Sequence, residues 1–123
     1  MLTMKILLII LTIIVTIILA IPLVILMKIL QITYSLASGG AERFVVDLCN
    51  ELAKNKDNEV YLLVIRDLSV PKDRHYLPDL SKDVKCINIG TKKGICAKSI
   101  IGIYKTIKEI KPDIVHTHCD AIL

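Results

Sequence analysis

The sequence predicts an α/β protein in which a parallel β-sheet follows an N-terminal transmembrane helix. Two observations lead to this fold class. Residues 27–118 alternate between short β-prone runs and longer segments of helical periodicity, and strands separated by helices are typical of parallel sheets. The hydrophobic content of 54% is also high for a soluble domain, and the excess lies in the first 27 residues.

Residues 6–26 form an uncharged apolar stretch between Lys5 and Lys28. As a helix rising ~1.5 Å per residue, the stretch would span roughly 30 Å, which is the thickness of the hydrocarbon core of a bilayer. It is longer than the core of a secretory signal, and no small-residue cleavage site follows it. We therefore predict a transmembrane anchor over residues 1–27 and a folded domain over residues 28–123. Positive charges are slightly more numerous on the domain side, which favours a cytoplasmic domain on a cell membrane.

The first strand and the first helix of the domain are separated by a short loop of small residues. The strand is predicted over residues 27–34, the loop ends in Gly39 and Gly40, and the helix begins at Ala41. Because the strand starts at Met27 without a linker, an extension from an upstream start site is the alternative to a true anchor. The apolar residues of the helix share one stripe at helical period: Ala41, Phe44, Val45, Leu48, Cys49, Leu52 and Ala53.

The Gly39-Gly40 loop is a candidate anion site. A strand that leads into a helix through glycines brings backbone N–H groups together at the positive end of the helix dipole, where phosphates bind well. Glycine also lacks the Cβ that would hold a ligand away from the backbone. A tight turn without a ligand is the alternative interpretation. The loop lacks the G-x-G-x-x-G pattern, so a dinucleotide-binding oxidoreductase is disfavoured.

Three more strands and a second helix complete the pattern. The strands are predicted over residues 59–66, 84–89 and 113–118, the helix over residues 97–111, and a loop over residues 67–83. Right-handed crossovers then give a doubly wound, Rossmann-like sheet of order 3-2-1-4, which is an incomplete version of that fold. Ligands of such sheets bind beyond the carboxyl ends of the strands, and the diglycine loop and the end of the fourth strand both fall there.

Charge is unevenly distributed along the domain. Residues 28–81 have a net charge of −1, whereas residues 82–111 contain eight lysines and two acids, a net charge of +6. A solvated helix face is one explanation, and a basic surface against anionic lipid headgroups is the other. The candidate membrane-surface residues are Lys92, Lys93, Lys98 and Lys105. Nucleic-acid binding is not expected, because the basic region lacks interleaved aromatic residues and a recognisable module.

The four cysteines do not form a disulfide or metal pattern. They have no C-x-x-C spacing, and they are Cys49, Cys86, Cys96 and Cys119. Cys49 lies on the apolar stripe of the first helix and Cys86 lies in a strand. We expect ordinary thiols in a reducing compartment.

Two motifs together resemble the N-terminal domain of family 4 glycosyltransferases of the GT-B fold. They are S-G-G-A-E-R at residues 38–43 and K-P-D-I-V-H-T-H at residues 111–118, and the resemblance covers residues 27–123. It implies a retaining enzyme of polysaccharide or glycolipid synthesis that moves a sugar from a nucleotide-sugar donor to a glycan or lipid-linked acceptor. It implies no metal or other cofactor.

The resemblance also implies roles for particular residues. Gly39 and Gly40 would approach the donor diphosphate, and His118 would lie in the cleft near the transferred sugar or the acceptor as the catalytic residue. From strand alternation we expect His116 to face away from His118 and to be structural. A metal site formed by His116, His118 and Cys119 is disfavoured, because alternation would place its ligands on different faces.

The family pattern includes a second Rossmann-like domain that binds most of the nucleotide and carries a paired-glutamate motif. Residues 28–123 correspond only to part of the N-terminal domain, so this chain alone is expected to be inactive. It would be either a fragment or one subunit of a two-chain enzyme. The alternative function is a membrane-tethered, non-catalytic subunit that docks on a partner chain.

Overall fold

The computed structural model describes residues 1–20, 25–92 and 94–118. In this part of the chain, three α-helices and four β-strands alternate as the sequence predicts. The elements are α1 (Leu2–Ala20), β1 (Met27–Thr33), α2 (Gly40–Lys54), β2 (Asn58–Arg66), two 3₁₀ turns (Pro71–Arg74 and Leu77–Asp79), β3 (Lys85–Thr91), α3 (Ala97–Ile110) and β4 (Ile114–Thr117).

The four strands form one all-parallel sheet in the order β3-β2-β1-β4. This confirms the predicted fold class and strand order. In the register of β1 and β4, Ile29 lies beside Ile114 and Gln31 lies beside His116. From β1 the chain adds β2 and β3 on one side of the sheet and then β4 on the other side. The switch point, where ligands bind in such sheets, therefore lies between β1 and β4.

The helices cover the two faces of the sheet, as a doubly wound fold requires. On one face, α2 contributes Val45, Val46, Cys49 and Ala53 to a buried cluster with side chains of β2 and Leu36. On the other face, Ile110 at the end of α3 joins a second cluster with residues of β1 and β2. Burial raises the pKa of the Cys49 thiol to about 12, which is the behaviour of an unreactive core thiol.

The buried face of α2 differs from the predicted stripe. Val46 is fully buried, although the periodicity did not include it, whereas Phe44 is 59% exposed. The apolar residues of α2 occupy two adjoining columns of the helix. One column faces the sheet, and the other lines a groove of about 590 Å³ beside β4, formed by Phe44, Leu48 and Leu52 with Ile114 and Val115.

Helix α1 is long and apolar enough to cross a membrane by its length and composition. It begins at Leu2, within the predicted anchor and ahead of the uncharged stretch, and so includes Lys5. The hydroxyls of Thr12 and Thr16 donate to the carbonyls of Leu8 and Thr12, which satisfies both hydroxyls within the helix. The predicted end of the anchor includes residues 21–24, which lie outside the described residues.

Strand β3 continues through Gly90 to Thr91, two residues beyond the predicted end at residue 89. Gly90 has a φ of +77°, a left-handed conformation that favours glycine. Beside it the register with β2 shifts between Val64 and Arg66, which is a bulge. The Thr91 hydroxyl donates to the Ile65 carbonyl at 3.1 Å and secures the strand beyond the bulge.

The loop between β2 and β3 supports the segment that follows β1. Leu36 donates its N–H to the Asp73 carbonyl at 2.9 Å and accepts from the N–H of Tyr76 at 3.0 Å. Asp73 is 6% exposed, and its carboxylate pairs with the Arg66 guanidinium at 3.2 Å. The Arg66–Asp73 pair therefore ties the end of β2 to the loop that holds Leu36.

We predict that Asp73→Ala lowers the free energy of unfolding by about 2–3 kcal/mol, because it leaves a largely buried guanidinium without its carboxylate partner. The measurement is denaturant unfolding of the full chain in detergent, followed by circular dichroism. Asp79→Ala is the matched control, since it breaks an exposed pair with Arg43 and should cost below about 1 kcal/mol. Equal losses for the two variants would contradict the prediction.

Candidate functional site at the carboxyl edge of the sheet

The diglycine loop and the end of β4 lie at the same edge of the sheet. Because β1 and β4 are parallel neighbours, their carboxyl ends meet there. The backbone N–H of His118 donates to the Ile32 carbonyl at 3.0 Å, so the pairing with β1 extends one residue beyond β4. The next segment of the chain after β1 is the loop that leads through Gly39 into α2.

His118 is held by a buried side-chain hydrogen bond to β1. Its Nε2 lies 2.5 Å from Oε1 of Gln31, and the two residues are 8% and 2% exposed. A carbonyl oxygen only accepts, so Nε2 donates and carries the proton of the neutral ring, which leaves Nδ1 as an acceptor. Burial lowers the pKa of His118, and the nearby His116 ring lowers it further.

The expectation that His116 faces away from His118 is wrong. The two ring centroids are 4.3 Å apart. Residues two positions apart along a strand share a face, so strand alternation itself brings the two imidazoles together. The argument that alternation separates the proposed metal ligands therefore fails. Cys119 lies outside the described residues, and within them no group of three His, Cys, Asp or Glu side chains is arranged to hold a metal ion.

Phe44 connects α2 to His118. The two rings meet edge to face, with their centroids 6.3 Å apart. Phe44 lies four residues after Gly40, about 6 Å farther along the helix axis. The contact therefore brings the first turn of α2 and the imidazole of His118 to one place at the edge of the sheet.

The backbone at the diglycine does not itself require glycine. Gly39 is the N-cap of α2 with extended torsions (φ −161°, ψ 163°), and no side chain caps the helix. Among the described glycines, positive φ is confined to Gly90. A Cβ at Gly40 would meet no atom within 4 Å, whereas a Cβ at Gly39 would collide with the Glu42 carboxylate. The space in front of Gly40 is open to a ligand.

Of the candidate membrane-surface lysines, Lys92 follows β3 at the same carboxyl edge, two strands away from β1. Lys98 and Lys105 are on α3, which covers the face of the sheet opposite α2. Lys92 is exposed just after β3, and the Lys98 ammonium donates to the Gly90 carbonyl at 3.1 Å. Lys93 lies outside the described residues.

Two residues of the site were missed by the sequence analysis. Gln31 is a polar residue within the apolar run of β1, and a buried polar side chain requires a partner. That interruption is the signal that could have identified it. Phe44 was assigned to the core stripe, and its contact with His118 depends on the rotation of α2, which periodicity does not reveal.

Residues 32–120 match the profile of the glycosyl transferase 4-like family. The matched region includes both motifs and runs from β1 beyond β4, which is nearly the whole folded part of the chain. The parallel sheet and its strand order define a Rossmann-like class of domain. The chain belongs to the glycosyl transferase 4-like family. None of the curated proteins matches the chain.

We predict that His118 titrates below the ordinary histidine pKa of about 6.5, because burial disfavours the imidazolium. NMR titration of the imidazole protons measures the pKa. His116→Ala should raise it only part of the way, since burial is the larger cause, and His75→Ala should leave it unchanged. Below about pH 6.5, His118 takes up a proton in the unfolded chain before it does so in the folded chain. The free energy of unfolding should therefore fall as the pH falls, and it should fall less in His118→Gln. A His118 pKa at or above 6.5 would contradict the prediction.

Proposed function

We propose that residues 28–123 form the acceptor-side half of a retaining glycosyltransferase. The enzyme would transfer a sugar from a nucleotide-sugar donor to a cell-surface glycan or lipid-linked acceptor. The observation that carries the proposal is the meeting of the diglycine helix terminus and the imidazole of His118 at one sheet edge, through Phe44, in a chain of the glycosyl transferase 4-like family.

The diglycine terminus suits a diphosphate. Uncapped N–H groups at the start of α2 can donate to phosphate oxygens and stabilise the charge that develops on the departing diphosphate. The proposal also explains why glycine stands at Gly40, since neither its torsions nor its neighbours demand glycine. The Glu42 carboxylate beside Gly39 would have to move aside when the anion binds.

His118 suits a hydroxyl group of the acceptor or of the transferred sugar. Its bond to Gln31 fixes the neutral tautomer, and the remaining Nδ1 can accept a hydrogen bond from a hydroxyl. The lowered pKa keeps the ring neutral near pH 7. The buried bond to Gln31 also fixes the orientation of the ring, as a group that positions a substrate requires.

The other half of the cleft would come from a second α/β domain, in the same polypeptide or in a partner chain. That domain would bind most of the nucleotide and the remaining charge of the diphosphate, without a metal ion. Helix α1 would hold the domain on the cytoplasmic side of a cell membrane, close to a lipid-linked acceptor. Nucleic acid is not a proposed partner.

The test is reconstitution of sugar transfer with a donor-binding domain of the same family, supplied by fusion or as a separate chain. We expect transfer from a nucleotide sugar and a loss of about 100-fold in kcat for His118→Ala. His75→Ala, an exposed histidine in the loop between β2 and β3, is the control and should retain activity. Failure to transfer from any nucleotide sugar, or equal loss in both variants, would refute the proposal.

Gly40→Ala separates the diphosphate role from a simple turn. The added methyl meets no protein atom, so the free energy of unfolding should change by less than about 1 kcal/mol. The methyl should lengthen or break the hydrogen bonds from the backbone to the anion, and the donor KM should rise roughly tenfold. Unfolding measurements and steady-state kinetics report the two effects. A destabilised variant with an unchanged donor KM would indicate that the glycine serves the turn.

The second candidate is a non-catalytic subunit that docks on a partner chain. The apolar groove beside β4 favours it, because Ile114 and Val115 are 46% and 44% exposed at the edge of the described sheet. Purification of a stable complex whose partner lacks a donor site would support this function over sugar transfer.

A further inference from the structure

The outward face of α3 is apolar where a solvent-facing helix would be polar. Ile100, Ile101 and Tyr104 are 59%, 53% and 63% exposed, and they lie within one turn of the helix. The opposite face, which includes Ser99, Thr106 and Ile110, is the one that packs toward the sheet. Ser99 and Thr106 are buried on the inward face beside isoleucines that pack on the core, whereas the outward face exposes large apolar residues. In the described part of the chain no element covers this face.

The rim of this apolar face is basic. Lys98, Lys105 and Lys108 are all exposed, and the Lys108 ammonium lies 5.7 Å from the centroid of the Tyr104 ring. Glu109 is the single acid of the helix, and it lines the groove toward β3 together with Lys98, Ile101 and Lys105. Large apolar residues bordered by lysines are the pattern of a helix that lies in the interface of an anionic membrane. Lysine stems can lie along the apolar surface while their ammonium groups reach phosphates.

The anchor enters the domain next to α3. Strand β1 begins at Met27, and the ammonium of the next residue, Lys28, donates to the Ile110 carbonyl at the end of α3, at 3.2 Å. The N–H of Lys28 also donates to the Asp113 carboxylate at 2.8 Å. The six residues 21–26 can span at most about 20 Å, and the outer surface of α3 lies about one helix diameter, 10–12 Å, beyond the sheet. The connection to α1 is therefore long enough for α3 to rest on the same bilayer.

We infer that the outward face of α3 docks on the surface of an anionic lipid bilayer. Ile100, Ile101 and Tyr104 enter the boundary between headgroups and acyl chains, and Lys98, Lys105 and Lys108 pair with lipid phosphates. The inference rests on the proposal that α1 crosses the membrane, and it adds an orientation of the domain on that membrane. It does not depend on sugar transfer, and its test does not measure sugar transfer.

The chain contains no tryptophan, so a single substitution creates a unique fluorescent reporter. We would reconstitute full-length Tyr104→Trp in nanodiscs of phosphatidylcholine and phosphatidylglycerol, with and without lipids brominated near the headgroup end of the acyl chain. Phe44→Trp is the matched control, because Phe44 is an aromatic residue of similar exposure (59%) on α2, across the sheet. We expect the Tyr104→Trp emission to be blue-shifted and quenched by the brominated lipid, and the Phe44→Trp emission to be neither.

The charge requirement is tested in the same reporter. Nanodiscs of phosphatidylcholine alone, or the added substitutions Lys98→Glu, Lys105→Glu and Lys108→Glu, should remove most of the quenching, and Ile101→Asp should do the same. Circular dichroism checks that each variant is folded. Unquenched Tyr104→Trp, equal quenching of both reporters, or quenching that is insensitive to lipid charge would overturn the inference. A chain that does not associate with nanodiscs at all would overturn the anchor as well, whereas successful docking without sugar transfer would count only against the proposed enzyme.

Discussion

The structure depends on β1 pairing in parallel on both of its sides. Pairing with β2 on one side and β4 on the other satisfies the backbone of a strand whose residues from Ile29 to Thr33 are buried. Because all the strands run the same way, every segment that leaves a carboxyl end emerges at one edge. The diglycine loop and His118 are separated by almost 80 residues in the sequence, and this pairing alone brings them to a common place.

The Gln31–His118 bond is the polar counterpart of that pairing. Two buried polar side chains would each be costly alone, and each satisfies the other. The bond also joins β1 to the segment after β4, at the place where the backbone hydrogen bonds of the two strands end. Burial of the ring, and to a smaller extent the adjacent His116, oppose the charged form and lower the pKa of His118.

The two helical layers have different chemistry. The layer of α2 carries the diglycine terminus, Phe44 and the apolar groove beside β4, whereas the layer of α3 carries lysines and exposed isoleucines. Helix α1 precedes β1, which begins at the amino edge of the sheet, and the seven residues of β1 place the carboxyl edge roughly 23 Å away along the strands. A domain resting on α3 would hold that distant edge about one helix diameter, 10–12 Å, above the bilayer surface. This orientation suits an acceptor that is itself attached to lipid.

The sequence by itself determined the elements, their order in the sheet and the edge at which the site lies. Strand and helix periodicities, glycine and proline positions and the handedness of crossovers are local or topological properties that a sequence carries. Only the tertiary structure decided that α2 turns Val46 inward and Phe44 toward His118, that Gln31 holds the ring, and that the two histidines lie together. Those features depend on how helices rotate against a sheet and on which buried polar groups meet. Such contacts join residues far apart in the chain, and local pattern does not encode them.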